Sequence, residues 1–388
     1  MSRARSCAWT VVGRPTAGTT RRRRSRKPLM KVGVIGCGFQ GSLHVECLQA
    51  LEDVEVVAVC DTDRSRLDEV RSTTRSAKGY ADYRDLLDRH ALDLVTVCTM
   101  PNHHMRMTVD AFATGAHVLC EKPLALDASE GREMLRAAAA ADRMLGIGFN
   151  MRFTPNAQII KRHIESGVLG RPLYTHAWAK SSQIPWWGEH YRKELSGGGA
   201  LAATAVHFLD LALWFAGFPR PVAASASAAQ VFPTKRGPTA PDTASAGRYN
   251  VDDLLAAHLR FEDGFWMTLQ GSWVDNIPSH ADGSPSWDYS LDAIGESAQA
   301  VLDPPSIRGE REGEIIELLP PDTVSDVSFP PSVASLIAET VNAIRAGRDA
   351  PVTGEQALVT QVIVDAIYES AAAGAEVSID PSELDWSR

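Results

Sequence analysis

The chain has 388 residues, 44% of them hydrophobic, and a formal net charge of −9, which fits a globular protein long enough for two domains. No apolar run approaches the length of a membrane span, and the acidic balance argues against a nucleic-acid partner. The six cysteines include no C-x-x-C pair and the eleven histidines no H-E-x-x-H, so no metal site is expected, and a reduced, cytoplasmic protein is the simplest reading.

Residues 1–29 differ in kind. They hold nine of the 39 basic residues and no acid, so the remainder sets 30 basic against 48 acidic residues, an excess of 18 negative charges. A nucleic-acid-binding arm would find no basic face on such a body to continue the contact. A twin-arginine export signal would need an apolar stretch after the arginines, whereas the chain passes straight into Lys31-Val32-Gly33-Val34-Ile35. The expectation is a disordered extension, or an upstream start codon with Met30 as the working initiator.

From 31 to about 150, apolar strands and helical patterns alternate. Strands are expected at 32–35, 54–60, 94–98, 118–120 and 145–148, and helices near 41–51, 64–71, 83–90, 104–114 and 127–142. This grammar predicts a Rossmann-type α/β domain over 30–150, a doubly wound parallel sheet. Between the first strand and helix, Gly36, Gly38 and Gly41 form G-x-G-x-x-G, enclosing Phe39 and Gln40. Such a turn brings backbone N–H groups and a helix N-terminus onto a pyrophosphate. Asp61, twenty positions after the last glycine, would accept from the adenosine ribose and disfavour a 2′-phosphate. Arg64, just beyond it, could instead hold that phosphate, so NAD is expected with NADP left open.

After 150 the pattern changes to a helix at 155–166, a strand at 172–180, a glycine turn with a helix at 197–216, and then runs of alternating apolar residues. The stretches 254–261 and 265–273, joined by Glu262-Asp263-Gly264, form a hairpin signal. A second, α+β domain over 151–380 with a large, mainly antiparallel open sheet is predicted. Residues 233–250 read as a long mobile loop. Helical patterns near 331–347 and 355–373 close the chain.

Between the domains stands Cys120-Glu121-Lys122-Pro123-Leu124. With the glycine loop, the Asp61 strand end, Thr99 and His104, Ser196-Gly197-Gly198-Gly199-Ala200 leading to His207 and Asp210, and Pro351-Val352-Thr353-Gly354, the chain from about 30 to 378 resembles the glucose–fructose oxidoreductase / inositol dehydrogenase (Gfo/Idh/MocA) family. The resemblance implies that Thr99, His104, Glu121 and Lys122 lie beside the cofactor, that the bond before Pro123 is cis, and that His207 faces the substrate. It also implies pairing through the exposed face of the second sheet, hence a homodimer or homotetramer.

Lys122 has a physical reading of its own. An ammonium at the C-terminal edge of a parallel sheet can hold a substrate oxygen and stabilise developing alkoxide; the alternative is a surface lysine paired with Glu121. His207 suits the proton half of alcohol oxidation, or else is a core histidine bonded to backbone. Many relatives carry aspartate four residues before this histidine, where this chain has Ala203; Met100 replaces their usual proline. Asn150 and Arg152 at the domain junction could bind substrate, Arg152 alternatively making an interdomain ion pair. Trp186 and Tyr191 offer flat faces for a pyranose ring, or simply pack.

Lys122 and His207 are thus the expected catalytic residues of an NAD(P)-dependent oxidoreductase acting on a secondary hydroxyl, or the matching ketone, of a sugar, cyclitol or sugar derivative. The alternative is a catalytically impaired, cofactor-holding member that senses a ligand or supports a partner subunit.

Overall fold

The computed structural model describes residues 28–74, 76–182, 184–185, 189–232, 247–278, 286–319 and 329–387. The basic extension, Trp186 and most of the expected 233–250 loop lie outside these residues.

The first half builds β1 (Met30–Ile35), α1 (Phe39–Gln49), β2 (Val54–Cys60), α2 (Arg64–Thr73), β3 (Lys78–Tyr80), α3 (Tyr83–Arg89), β4 (Leu94–Val97), α4 (His104–Ala113), β5 (His117–Cys120), α5 (Ala128–Ala141) and β6 (Leu145–Ile147). The strands pair in parallel in the order β3-β2-β1-β4-β5-β6. At three residues, β3 is too short for a periodic pattern, and sequence reading missed it. Val34 and Ile35, neighbours that point to opposite faces of the sheet, are both buried, as a strand covered on both faces requires. Asp63 and Asp127 accept backbone N–H groups at the starts of α2 and α5. The chain reverses its winding between β1 and β4, which opens a crevice at the C-terminal strand ends.

The second half follows with α6 (Pro155–Glu165), β7 (Pro172–Ser181), α7 (Lys193–Ser196), α8 (Val206–Ala216), β8 (Pro221–Ala229), β9 (Leu254–Phe261), β10 (Trp266–Ser272), β11 (Trp287–Gly295), β12 (Ala298–Val301), β13 (Ser306–Arg311), β14 (Glu314–Leu319) and β15 (Val377–Ser378). Its nine strands run β14-β13-β12-β11-β7-β10-β9-β8-β15. Only β7 and β10 pair in parallel; the β9–β10 hairpin is antiparallel and turns through Asp263 and Gly264 at positive φ. Helices cover one face. The other carries Tyr174, Trp178, His258 and Trp266, with Tyr174 and Trp266 stacked at 4.5 Å.

Two long helices finish the chain. Phe329–Ala346 returns to the parallel sheet and buries Val333, Ile337 and Val341 against β1 and β2 residues. Gly354–Ala373 lies between α5 and β8. Among the described residues, one helical run, Lys193–Ala216, is long and apolar enough to cross a membrane, and 72% of its apolar window is buried inside the fold.

Arg152 answers one of the sequence alternatives. It is 1% exposed, its Nε and Nη2 donate to the two Asp210 oxygens at 2.8 and 2.7 Å, and its Nη1 donates to Gln356 at 2.6 Å. The rings of Phe218 and Trp214 flank the guanidinium. The guanidinium is thus engaged in a buried ion pair, the alternative to substrate binding, with both partners in the second half of the chain. Removing one partner would strand the other charge in the core, so Asp210→Ala should lose about 3–5 kcal/mol. Urea unfolding checks this, and a loss below about 1 kcal/mol would contradict it.

Candidate active site

The glycine loop is shaped by what a side chain would meet. Gly36 has φ +96°, and a Cβ there would lie 2.5 Å from the Cys98 carbonyl oxygen; at Gly41 it would run into the Gly36 carbonyl. At Gly38 it would enter open space, the side from which a pyrophosphate can approach. Gly38 lends α1 no side-chain cap, so the first-turn N–H groups have no such partner. Phe39 is 72% exposed and stacks on Phe329, while Gln40 Oε1 is buried without a partner.

Asp61 closes the loop from β2. Its carboxylate accepts from the Cys37 N–H at 2.7 Å and the Asp63 N–H at 2.8 Å, which holds it beside the glycines. The Arg64 side chain is 86% exposed and pairs with Asp68 on its own helix. These residues fit a dinucleotide: free N–H groups on an open glycine turn, and an oriented carboxylate at the strand end.

The middle of the site is a buried charge chain. The His104 ring lies between the Pro123 carbonyl at 2.9 Å and the Thr99 carbonyl at 3.1 Å, bracing the loop after β4 against the cis Lys122–Pro123 turn. Thr99 Oγ1 meets Met107 Sδ at 3.7 Å. Glu121 is buried and contacts His44 Nε2 at 3.0 Å; a side chain at Gly148 would collide with its carboxylate. Burial opposes charge on His44, but the Cys98 sulfur and the Glu121 carboxylate outweigh it and push the imidazole up to about 10. Burial likewise pushes Glu121 up, and His44 and Lys122 reverse this to a net lowering. His44 and Glu121 therefore form a buried ion pair near neutrality.

Lys122 is not the surface lysine of the alternative reading. Its Nζ donates to the carbonyl of Ala203 at 2.8 Å, and burial lowers its pKa despite Glu121. Burial and the Lys122 charge hold His207 well below the ordinary histidine range, so the ring is neutral at pH 7. His207 Nδ1 has no hydrogen-bond partner among the described residues, and the ring meets Phe149 edge-on at 6.2 Å. A core histidine bonded to backbone would look different. His190 feels the same two effects and is pushed down to about 4. Sequence reasoning missed His190, although it lies in the Trp-rich segment examined only for its flat aromatic faces.

Other expectations shift. The helix carrying His207 opens with a π turn at Ala200–Ala205 before α8, so Ala203 and His207 do not share one regular α-helical face. A wider turn changes the angular step between residues, and such turns occur often at functional sites. Asn150 is buried with its amide donating to Ser332 at 2.7 Å, and the Tyr191 hydroxyl accepts from Arg248 at 3.3 Å; these contacts tie segments together. Among the described residues, no group of three His, Cys, Asp or Glu side chains gathers into a metal-binding cluster.

A parallel six-stranded sheet with this loop, joined to a mainly antiparallel sheet on which the His207 helix packs, defines a two-domain NAD-binding oxidoreductase. The family model for the oxidoreductase family with an NAD-binding Rossmann fold matches residues 30–149, and the GFO/IDH/MocA C-terminal domain matches 157–300. The chain belongs to the Gfo/Idh/MocA family. It is 29% identical over 352 residues to a D-glucoside 3-dehydrogenase of Escherichia coli, covering 90% of this chain and 97% of that one. It is 27% identical over 358 residues to an inositol 2-dehydrogenase of Pseudomonas fluorescens, covering 90% and 96%. Levoglucosan dehydrogenase, solved with NADH and L-sorbose, shares the fold with a TM-score of 0.77 at 20% identity, over 91% of this chain and all of that one.

The His44–Glu121 pair has a testable signature in stability. A histidine raised from 6.5 to about 10 on folding contributes stability that is fully present below pH 6.5 and lost as pH rises through 10. His44→Gln should thus melt well below wild type at pH 6, with the gap closing toward pH 10. Melting temperatures across that range check it, and a constant gap would refute the ion pair.

Proposed function

We propose that this chain is an NAD-dependent dehydrogenase that oxidises a secondary hydroxyl of a sugar or cyclitol, or reduces the matching ketone. The observation that carries this reading is the half-buried Lys122 ammonium, held by the Ala203 carbonyl and felt by the neutral His207 imidazole, at the crevice where the glycine loop and Asp61 end. The D-glucoside and inositol dehydrogenases among its relatives support the substrate class. Residues 30–150 would hold the cofactor and 151–380 the substrate.

Bound NAD supplies the acceptor for the carbinol hydride. Gly36, Gly38, Phe39, Gln40 and Gly41 would hold its pyrophosphate, and Asp61 its ribose. A carboxylate there repels a 2′-phosphate, and Arg64 is already paired with Asp68, which favours NAD over NADP. Lys122 would move its donor from the Ala203 carbonyl to the substrate oxygen and stabilise negative charge as the C–H bond breaks. His207, kept neutral by burial and Lys122, takes the hydroxyl proton as the carbonyl forms. The reverse direction returns both. Neutral His190 would stand beside the same oxygen as a hydroxyl partner.

A screen of sugars, cyclitols and their methyl glycosides at 340 nm tests the activity. Against the substrate found, Lys122→Ala should lower kcat about 10²- to 10³-fold, while NADH affinity stays near wild type and exceeds NADPH affinity in both proteins. Near-normal turnover in Lys122→Ala removes the mechanism; tighter NADPH binding removes the cofactor assignment.

The exposed sheet face suits a second copy of the chain. Tyr174, Trp178, His258 and Trp266 form an aromatic surface of the kind buried in subunit contacts. The family resemblance also implies pairing there. Both observations support a homodimer or dimer of dimers. Light scattering at micromolar concentration should give at least twice the 42.0 kDa chain mass, and a monomer would contradict it.

A further inference from the structure

Lys122 and His207 keep a fixed relation only if the turn between Gly197 and Val206 is fixed. That turn begins on Gly199, which has no side chain to cap the N–H groups a helical start leaves open. The missing cap arrives from a distant segment. Asp252, just ahead of β9, accepts the Gly199 N–H at 2.7 Å on Oδ1 and the Leu201 N–H at 3.0 Å on Oδ2. Its backbone carbonyl accepts the Ala200 N–H at 2.9 Å. The Tyr368 hydroxyl, from the last helix, donates to Oδ1 at 2.7 Å.

The glycines make this approach possible. A Cβ at Gly198 would run into the Tyr368 hydroxyl, and one at Gly199 into the Asp252 carbonyl oxygen. From the other side, Trp273 Nε1 donates to Thr204 Oγ1 at 2.9 Å. Asp253 cannot substitute, since its carboxylate serves the Val231 and Phe232 N–H groups and the Tyr249 hydroxyl. Lys193 stands over the Tyr368 ring at 5.3 Å. The turn so clamped presents the Ala203 carbonyl that receives Lys122 and leads into the first turn of α8, where His207 sits.

We propose that Asp252, supported by Tyr368, is a positioning residue for proton transfer: it clamps the glycine and π turn whose Ala203 carbonyl and His207 ring set Lys122 against the imidazole. The inference rests on the roles given above to Lys122 and His207. Asp252→Asn keeps one acceptor oxygen but turns an NH2 group toward N–H donors. Tyr368→Phe removes one hydroxyl bond and leaves the three bonds from the Gly199, Ala200 and Leu201 N–H groups in place.

Two readouts separate positioning from stability. With the sugar or cyclitol found by the absorbance screen, kcat should fall about 10- to 100-fold in Asp252→Asn, less in Tyr368→Phe, with NADH affinity within about twofold of wild type. The His207 titration, followed by ring-carbon NMR and assigned with His207→Gln, should move toward the ordinary histidine value as the clamp loosens. Unchanged kcat and unchanged His207 titration in Tyr368→Phe and Asp252→Asn, whatever the melting temperatures, overturn the proposal. If Asp252→Asn does not fold, Tyr368→Phe decides. If Lys122→Ala retains turnover, the catalytic reading fails by itself, and the NMR titration still shows whether Asp252 fixes the ring.

Discussion

An ammonium half withdrawn from water needs an acceptor, and Lys122 takes its acceptor from the other half of the molecule. The Ala203 carbonyl at 2.8 Å belongs to the helical run packed on the second sheet, whereas Lys122 ends the fifth strand of the first. An unpaired buried charge is costly enough that this contact, once formed, holds the two sheets' contributions to the site in register. Burial lowers the lysine's pKa; burial first, with the lysine's charge second, keeps the His207 and His190 imidazoles neutral.

The charges around Lys122 divide into two groups with different tasks. Behind it, His44 pairs through Nε2 with Glu121 and ties α1 of the glycine loop to the end of β5, its own Nδ1 having no hydrogen-bond partner among the described residues. In front of it, His207 is uncharged and keeps Nδ1 without a partner among those residues. A charged, paired histidine can brace but cannot accept a proton; a neutral, unpaired one can. Burial disfavours charge at both rings, and only the proximity of a carboxylate or of an ammonium separates their behaviour.

The two ends of the cofactor crevice also differ in how the chain secures them. The glycine loop and Asp61 are 20 to 25 residues apart and meet through adjacent parallel strands, a local arrangement that spacing alone describes. The histidine end depends on residues far apart in sequence. Arg152, which looks available for a ligand, finds Asp210 58 residues away and Gln356 204 residues away. The turn before His207 depends on Asp252, which sequence periodicity treats as an ordinary polar residue before a strand. Hydrogen bonds of such range leave no periodic trace.

The sequence by itself determined the parallel sheet, the dinucleotide turn and the hairpin of the second sheet. Each is written in spacing of glycine, charge and apolar residues over a few turns or strands. Only the tertiary structure decided that Arg152 is neutralised in the core, that a π turn interrupts the regular helix through Ala203, that Glu121 answers to His44, and that His190 shares the field of Lys122. The reason is physical. Whether a polar side chain meets substrate, solvent or a counter-charge depends on what packs against it, and the segments that pack there are tens to hundreds of residues away along the chain.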